Sequence, residues 1–440
     1  MTLWVVSKMD LNTTPKMRGQ AVTTDGLRPL PEGWVWTMIG QVTLPVEKVS
    51  PEQKPDVPFV YIDISSIDNS IQKIVEPKEY LGSEAPSRAR QLVRANDVVF
   101  STVRTYLKNV ALVPDIYDKQ IASTGFSVLR ASDAVQSKFL FYFTLTDEFL
   151  SPLNELQRGT SYPAVRDGDV RVQPFPLPPL PEQERIVARL EELLSDLEAG
   201  VTALERVRAG VKRYKASVLK AACEGKLFGD RGIEDGELLE EWRWVTVGDV
   251  TESMKNGVYK PAEYYADDGI ACLRMYNIED GAIVWKDIKR MKLTEEEVET
   301  YRLLPGDILV NRVNSRELVG KTAVIPSGLE SIVYESKNIR LKIKQDIADS
   351  TYINYCFGAY RQRYFNFNAQ QVVGMASINQ TQIAQMPIPL PPLEEQLRIV
   401  VEVERRLESA RAVESAVEVG LKRAGRLRQA VLRSAFEGRL

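Results

Sequence analysis

The chain has 440 residues, enough for two or three domains that each bury an adequate core. It contains no histidine, which excludes Ser-His-Asp triads, HExxH metalloprotease helices and histidine general bases. Its 3 cysteines are odd in number and far apart, so neither a disulfide framework nor a cysteine zinc site is expected. No apolar run of about 18 residues and no export signal are visible, which favours a soluble, cytoplasmic protein.

The net charge of −3 bears on the class of partner. A protein that binds nucleic acid on its own is usually basic, because each phosphate contact needs a cation. Two interpretations stay open. Either the chain does not bind nucleic acid, or its cations cluster on one face and partner subunits supply the remaining phosphate contacts.

Residues 1–26 are expected to form an N-terminal extension, and 27–174 a first globular region. In that region, the run from Asn96 to Phe100 predicts a turn followed by a buried strand. Residues 137–146 predict a short helix, and a small-residue loop at 159–163 closes the region. Mixed short strands and helices indicate an α+β domain.

Residues 175–227 predict one long helix with a coiled-coil seam, because apolar residues recur every three or four positions. The expected seam residues are Ile186, Leu190, Leu193, Leu197, Val201, Leu204, Val207 or Val211, Tyr214, Val218 and Ala222. Pro181 suits the first helical position, and Gly225 suits a left-handed C-terminal cap.

After a linker at 228–240, the same order repeats. Residues 241–387 form a second globular region, in which the run from Gly306 to Val310 predicts a strand and 351–365 a helix. Residues 388–440 align without a gap on 175–227, at a spacing of 213 residues, and end in a second cap at Gly438. The second seam is Ile399, Val403, Leu407, Ala410, Val413, Val417, Leu421, Ala424, Leu427, Val431 and Ala435.

The fold class predicted is therefore α+β, with two related domains joined by two long antiparallel coiled-coil helices in a pseudo-two-fold arrangement. A helix of this length extends for roughly 65 Å. The link between the halves is too short to return along it, which favours the antiparallel pair. Trp34, Trp36, Trp242 and Trp244 are expected in the core or between domain and helix.

Several phrases carry a family resemblance. The phrase P-L-P-P-L-x-E-Q-x-R-I-V stands at 176–187 and again at 389–400, and a heptad helix ending in E-G-K/R-L follows each copy. Together with the runs at 100–108, 122–126 and 311–321, this order resembles the specificity subunit of type I restriction-modification systems. The resemblance implies that each globular half is a target-recognition domain that reads one half of an asymmetric bipartite DNA site. It also implies that the helices fix the spacer and seat two modification (methyltransferase) subunits, to which restriction (translocase/nuclease) subunits are added.

The sequence carries no motif for catalysis. An adenine methyltransferase needs an N/D-P-P-Y/F phrase at the flipped base, whereas this chain has L-P-P-L twice. A Gly-rich cofactor loop and a GxxxxGK[ST] phosphate loop are also missing. A non-catalytic chain is therefore expected, with no cofactor or metal of its own and with S-adenosylmethionine, ATP and Mg on partner subunits.

Candidate site residues are cations, amides and hydroxyls in loops next to strands, because these groups bind phosphates and base edges. The candidates for DNA binding are Arg104, Lys108, Asn109, Thr160, Ser161, Tyr162, Arg166, Arg312, Asn314, Arg316, Lys321, Ser377, Asn379 and Gln380. The resemblance assigns the repeated helix starts to partner binding, through Glu182, Gln183, Arg185, Glu395, Gln396 and Arg398. For each DNA candidate, a solvated loop residue is the alternative.

Two other functions stay open from the residues alone. The first is a coiled-coil scaffold that joins protein partners without touching DNA, which the charge balance favours slightly. The second is a self-contained methyltransferase. No membrane association is expected.

Overall fold

The structure, a computed structural model, describes residues 26–159, 161–229, 239–372 and 374–440. The chain divides into two compact units. Unit 1 takes the residues up to Ala203 together with Gly420–Leu440, and unit 2 takes Leu204–Val419. Both boundaries between the units fall inside long helices. Most of the predicted N-terminal extension (1–26) and of the predicted linker (228–240) lies outside the described residues.

Unit 1 is built from short strands that form two four-stranded sheets, one two-stranded sheet and a hairpin. The strands are β1 Val35–Met38, β2 Thr43–Leu44, β3 Pro58–Ile62, β4 Ile67–Asp68, β5 Lys73–Ile74, β6 Lys78–Leu81, β7 Ala89–Leu92, β8 Val98–Ser101, β9 Val110–Leu112, β10 Ile121–Ser123, β11 Phe126–Ala131 and β12 Pro174–Leu177. The helices are α1 Ser137–Phe143, α2 Asp147–Glu155, α3 Asp167–Arg171 and the long α4 Leu180–Cys223. The sheet orders are β2-β11-β8-β9, β6-β3-β10-β7, β1-β12 and β4-β5.

Unit 2 repeats most of this plan. Its strands are β13 Arg243–Thr246, β14 Thr251–Asn256, β15 Tyr265–Leu273, β16 Ile278–Glu279, β17 Ala282–Ile283, β18 Lys289–Met291, β19 Ile308–Asn311, β20 Val313–Asn314, β21 Thr322–Val324, β22 Ile332–Tyr334, β23 Asn338–Ile343, β24 Gln370–Val372, β25 Met375–Ser377 and β26 Pro387–Leu390. Its helices are α5 Glu295–Tyr301, α6 Ser350–Asn368, α7 Gln380–Ala384 and the long α8 Leu393–Phe436. The sheet orders are β14-β23-β19-β21, β18-β15-β22, β20-β25-β24, β13-β26 and β16-β17.

The two units share their strand pairing. In each, one parallel pair joins distant strands, β3 with β10 and β15 with β22, and an antiparallel pair closes the globular part, β1 with β12 and β13 with β26. The predicted turn before the buried strand is present in both. It places Asn96 at φ 68° and Gly306 at φ 86°, a left-handed conformation that asparagine and glycine adopt at low cost. The α+β class and the internal duplication are thus confirmed.

In each unit, the start of one long helix packs with the end of the other in a core shared with the globular part. In unit 1 this core contains Ile186, Leu190, Leu432 and Phe436. In unit 2, late α4 residues such as Val218 and Ala222 join early α8 residues such as Ile399 and Val403. The two helix segments of each unit therefore run in opposite directions, as the sequence predicted.

The seam prediction holds near the helix ends and for Ala410, Val417 and Ala424 of α8, and it fails at several positions between them. Val207, Tyr214, Val413 and Leu427 are 44 to 49% exposed, and Val211 is the buried member of the Val207 or Val211 alternative. In α8, Leu432 is buried where Val431 was expected. The globular parts cover only one side of each helix, so a heptad pattern overestimates the buried stripe.

The helix ends agree closely with the prediction. Gly225 and Gly438 both have φ 72°, and the following N–H groups of Lys226 and Arg439 reach back to carbonyls five residues earlier, at 2.9 and 2.8 Å. This is the hydrogen-bond pattern of a Schellman cap. Helix α4 begins one residue before Pro181, at Leu180.

Of the four tryptophans predicted to pack, Trp34 and Trp242 are buried in the shared cores, as predicted. Trp36 is half-buried and its indole N–H donates to the carbonyl of Arg28 at 3.1 Å. Trp244 is 47% exposed, so the prediction of a core position is wrong for this residue.

Candidate nucleic-acid interface

Three distant segments of unit 1 meet at the end of β8. The N–H of Thr102 donates to the carbonyl of Gly125 at 2.9 Å, and the carbonyl of Thr102 accepts from the N–H of Val165 at 2.9 Å. These bonds join residues 101–109, 123–125 and the described residues 158–159 and 161–166, which we call loop cluster 1.

Unit 2 makes the same arrangement. The N–H of Arg312 donates to the carbonyl of Lys337 at 2.8 Å, and the carbonyl of Arg312 accepts from the N–H of Ile378 at 2.9 Å. We call residues 311–321, 335–337 and 374–380 loop cluster 2. The matching bonds make Thr102 equivalent to Arg312 and Gly125 equivalent to Lys337.

Arg104 is held in loop cluster 1 by backbone and side-chain contacts. Its backbone has φ 50°, and its N–H donates to the carbonyl of Pro163 at 2.8 Å. The guanidinium donates to the carbonyl of Ser161 at 3.0 Å and lies 4.9 Å from the ring centre of Tyr162, which is 71% exposed. Stacking on an exposed ring fixes the guanidinium plane while leaving donors free. Thr160, also a candidate, lies outside the described residues.

The other candidates of loop cluster 1 differ in exposure. Arg166 is exposed at the start of α3, where its N–H donates to Asp169 at 2.9 Å. The ammonium of Lys108 lies 3.6 Å from the carboxylate of Asp147. Asn109 is only 9% exposed, which is against a direct contact with a base.

In loop cluster 2, Asn314 is also turned inward. It is 7% exposed, its amide donates to the side-chain oxygen of Asn311 at 2.8 Å, and its own oxygen accepts from the N–H of Ser315. Because its donors and acceptor serve the loop, this geometry is against base recognition by Asn314. Arg316 remains exposed and donates to the carbonyl of Asn366 at 3.1 Å.

Two further cations of loop cluster 2 are partly enclosed. The guanidinium of Arg312 donates to the carbonyl of Ile378 at 3.4 Å. Burial lowers the pKa of Lys321, with the positive charge of Arg361 adding to this effect and Glu279 opposing it. Both are half-buried cations at the base of the cluster.

The remaining candidates lie on the third segment of loop cluster 2. Ser377 is on β25 and pairs with Val313. Asn379 caps α7, accepting from the N–H of Gln382 at 2.9 Å, and Gln380 donates to the side chain of Asn256 at 3.3 Å. These residues hold the loop in place, so their polar groups are only partly available to contact DNA.

Lys337 was missed in the list of candidates. It is exposed, and its carbonyl binds both the backbone of Arg312 and the side-chain amide of Asn311. The family-like run at 122–126 marks the equivalent segment of unit 1, and this was the signal in the sequence that could have located it.

Arg274 was missed too. It bonds Glu335 at 3.2 Å and lies 4.8 Å from the ring of Tyr276, beside loop cluster 2. Strand pairing makes Arg274 equivalent to Asp63 in unit 1. The two units thus carry opposite charges at this position.

At the helix starts, the two glutamines assigned to partner binding are fully buried. Gln183 accepts from the N–H of Gln136 at 2.8 Å and donates to the carbonyls of Ala134 and Pro178 at 3.0 and 2.9 Å. Gln396 makes the equivalent three bonds in unit 2, at 2.8, 3.1 and 2.9 Å. This geometry is against direct partner contact by either residue, because both join a helix start to its own domain.

The charged neighbours of these glutamines are more accessible. Arg185 forms a two-bond ion pair with Glu182 at 2.8 and 2.7 Å and lowers the pKa of that carboxyl. Glu395 accepts from the indole of Trp242 at 3.0 Å, and Arg398 lies 5.4 Å from the ring of Phe228. These four candidates remain compatible with a docking surface.

Within the described residues, no three or more acidic or cysteine side chains come together as a metal site. The three cysteines are free and buried. No described helix is long and apolar enough to cross a membrane.

Comparisons with known proteins agree with these features. The family model for the type I restriction modification DNA specificity domain matches twice, at residues 40–206 and 239–405. The StySPI specificity subunit of Salmonella potsdam is 25% identical over 427 residues, covering 93% of this chain and 90% of the relative. The EcoKI specificity subunit of Escherichia coli is 26% identical over 428 residues, with the same coverage.

Two solved structures extend the similarity to three dimensions. One, from work on complex assembly and conformational transition of the type I R-M system, is 34% identical, with a TM-score of 0.76 over 94% of this chain and 100% of that chain. The HsdS subunit from Thermoanaerobacter tengcongensis is 33% identical, with a TM-score of 0.52 over 95% and 100%. The chain therefore belongs to the type I restriction-modification specificity subunits, which recognise DNA and are not the catalytic components.

Proposed function

We propose that unit 1 reads one half of an asymmetric bipartite DNA site through loop cluster 1 and that unit 2 reads the other half through loop cluster 2. The long helices set the spacer between the half-sites and seat two methyltransferase subunits, and restriction subunits join this complex in the cytoplasm. In this proposal, S-adenosylmethionine, ATP and Mg²⁺ belong to the partner subunits, as the family resemblance implies.

The main observation behind this proposal is that the two loop clusters have the same backbone arrangement and differ in their side chains. The same two hydrogen bonds place Thr102 in unit 1 and Arg312 in unit 2, and likewise Gly125 and Lys337. Side chains with different donors and acceptors select different base edges in the major groove. A conserved frame with exchanged side chains is what reading two different half-sites requires.

The helix starts support a repeated protein partner. Gln183 and Gln396 fasten both helix starts to their domains by equivalent bonds, so the two starts share one backbone geometry, although the charged side chains beside them have different partners. Identical subunits bind best to surfaces that repeat, which favours two copies of one methyltransferase.

The test is selection from a randomised duplex library by the full chain co-expressed with its methyltransferase subunit. We expect a bipartite sequence. Arg104→Ala should relax the preference in one half-site and Arg312→Ala in the other, each by about tenfold, because a lost base contact costs roughly 1–3 kcal/mol. Arg411→Gln, an exposed helix cation paired with Glu404, is the control and should leave both half-sites unchanged.

Failure to select any sequence would favour the scaffold alternative, in which the chain joins proteins without contacting DNA. A change in both half-sites from one substitution would contradict the assignment of one half-site to each unit.

A further inference from the structure

The end of α8 in unit 1 carries a groove that neither the recognition loops nor the helix starts use. It has a volume of about 690 Å³, and Lys422, Arg426, Gln429, Arg433 and Arg439 line it together with Asp147 of α2. We call it the α8 groove. All of its residues belong to unit 1.

The cations of the α8 groove form one stripe. At 100° per residue, Lys422, Arg426 and Arg433 fall within about 40° of arc and extend for roughly 16 Å along the helix. Like charges four residues apart on a helix repel each other. An anion bound along the stripe would remove that repulsion.

These three cations are exposed, and none of them pairs with a carboxylate of another described residue. Cations elsewhere on the long helices are mostly paired, as Arg405 is with Glu402 and Arg411 with Glu404. The stripe therefore offers positive charge that the described part of the chain does not neutralise.

The α8 groove is continuous with loop cluster 1. Asp147 lines the groove and lies 3.6 Å from Lys108 of the loop cluster. Next to the stripe, Arg428 bonds Gln72 of the β4-β5 hairpin, and Asn69 of that hairpin donates to the carbonyl of Leu107 at 2.9 Å. A DNA strand that leaves loop cluster 1 at this side meets the stripe next.

The stripe is only partly repeated on α4. Arg213 takes the position of Arg426, but Ala209 takes the position of Lys422, and Lys220, at the position of Arg433, pairs with Glu224 at 3.6 Å. A methyltransferase subunit present twice should meet features present twice. This difference favours DNA over a protein partner as the occupant.

We propose that the α8 groove binds backbone phosphates of the double-stranded DNA spacer beside the half-site read by unit 1. A stripe of roughly 16 Å spans about five phosphates of one strand, which are spaced by 3.4 Å along the axis. Phosphate contacts carry no sequence information, so they suit a spacer of any sequence. The inference rests on the proposed function, because it takes unit 1 as a DNA reader.

The test uses the full chain with its methyltransferase subunits and the duplex selected above. The triple variant Lys422→Gln, Arg426→Gln and Arg433→Gln should bind at least tenfold more weakly at low salt. The slope of log affinity against log salt concentration should fall by about 2 to 3, since each lost phosphate contact contributes roughly 0.9. The half-site preference should not change.

The matched control removes three exposed cations that already have glutamate partners: Arg189→Gln, Arg405→Gln and Arg411→Gln. It should keep the salt slope of the unmodified chain. An unchanged slope in the groove variant, with the bipartite sequence still selected, would overturn the inference and leave the proposed function standing. If the unmodified chain selected no sequence, that result would instead contradict the proposed function.

A second measurement locates the contact on the DNA. Neutral methylphosphonate linkages in the spacer should weaken binding by the unmodified chain and have little further effect on the triple variant. Equal weakening of both would contradict a phosphate contact in the groove. Loss of the methyltransferase subunit from the triple variant, with the salt slope intact, would identify the groove as a protein docking surface. That result would also overturn the inference.

Gly425→Glu separates binding from folding. An added Cβ at Gly425 meets no atom within 4 Å, and replacing a helical glycine stabilises a helix. The added carboxylate lies in the α8 groove beside the stripe, so thermal stability should rise while DNA affinity falls. Gly200→Glu, at another open helical glycine, should raise stability alone.

Discussion

The junction between domain and long helix is made by different residues in the two units. In unit 1, the rings of Phe143 and Phe436 lie 5.2 Å apart, and Phe139 packs on the same ring at 4.8 Å. At the equivalent positions of unit 2, the sulfurs of Cys356 and Cys223 lie 3.7 Å apart. Both residues of the contact therefore differ between the units. The backbone geometry of the junction is common to both units, whereas the volume of the side chains that fill it is not.

Unit 2 compensates for the smaller pair with hydrogen-bonded tyrosines. The hydroxyl of Tyr352 donates to the carbonyl of Pro389 at 2.8 Å, and that of Tyr360 donates to the carbonyl of Cys223 at 3.2 Å. Burial raises the pKa of both hydroxyls, which keeps them as neutral donors. Unit 1 relies on ring packing and unit 2 on directional bonds.

The largest expected effect comes from Phe436→Ala, which should destabilise unit 1 by about 4 kcal/mol through lost packing and a residual cavity. Cys223→Ala, its counterpart, should cost unit 2 only about 1 kcal/mol, because it removes a single heavy atom. Urea unfolding with hydrogen exchange on peptides of each unit measures both. Equal losses would contradict the difference in packing between the junctions.

The next effect should be equal in the two units. Gln183→Leu leaves one buried N–H and two buried carbonyls without their side-chain partner, and Gln396→Leu does the same in unit 2. Each should cost about 3 kcal/mol in the unit that contains it. Glu184→Leu, at the exposed neighbour, should stay within about 0.5 kcal/mol of the original chain. A loss of stability in only one of the two variants would show that the two helix starts are not equivalent.

The smallest effects should come from replacing a buried aspartate with asparagine, which should lower the stability of unit 1 and raise the stability of unit 2. Asp97 accepts two bonds from the buried guanidinium of Arg130, at 3.0 and 2.8 Å. At the equivalent place in unit 2, Asp307 accepts from the N–H of Leu304 at 2.8 Å, while Lys342 pairs with Glu252 instead. Asp97→Asn should therefore destabilise unit 1 by about 2 kcal/mol, because it leaves Arg130 without its counter-charge.

Asp307→Asn should stabilise unit 2 slightly at neutral pH. Burial raises the pKa of Asp307, so the folded state disfavours the ionised carboxylate at pH values above that pKa. Asparagine removes this cost, and the gain should vanish as the pH falls through the folded-state pKa. Unfolding titrations from pH 3 to 7 measure the difference, and a gain that grows toward low pH would contradict it.

Local patterns predicted much of the scaffold correctly. Periodicity, the small-residue caps at Gly225 and Gly438 and the turns at Asn96 and Gly306 each depend on neighbouring residues alone. The exposure of Tyr214 and Leu427 could not be inferred in the same way, because the side of a helix that is covered depends on distant parts of the chain.

The candidate site residues show the same difference between features that depend on local sequence and features that depend on the whole fold. The segments that supplied the candidates do come together, since Arg104 of 104–109 bonds Pro163 of 161–166, and their contact with DNA stays a prediction. Asn314, Gln183 and Gln396 are of residue types that are usually exposed, but their side chains face inward. Asn314 bonds the side chain of Asn311, and the two glutamines bond backbone groups of distant segments. Hydrogen-bond satisfaction of that kind is a property of the folded chain and leaves no local pattern.

The division of the chain has a consequence for its synthesis. Unit 2 is continuous from Leu204 to Val419, whereas unit 1 needs Gly420–Leu440 to complete its core, including Phe436. On the ribosome, the second unit can therefore close before the first. A premature stop near residue 420 should leave unit 2 folded and expose the core of unit 1, so that a truncation after the second unit unfolds the segment that was synthesised first.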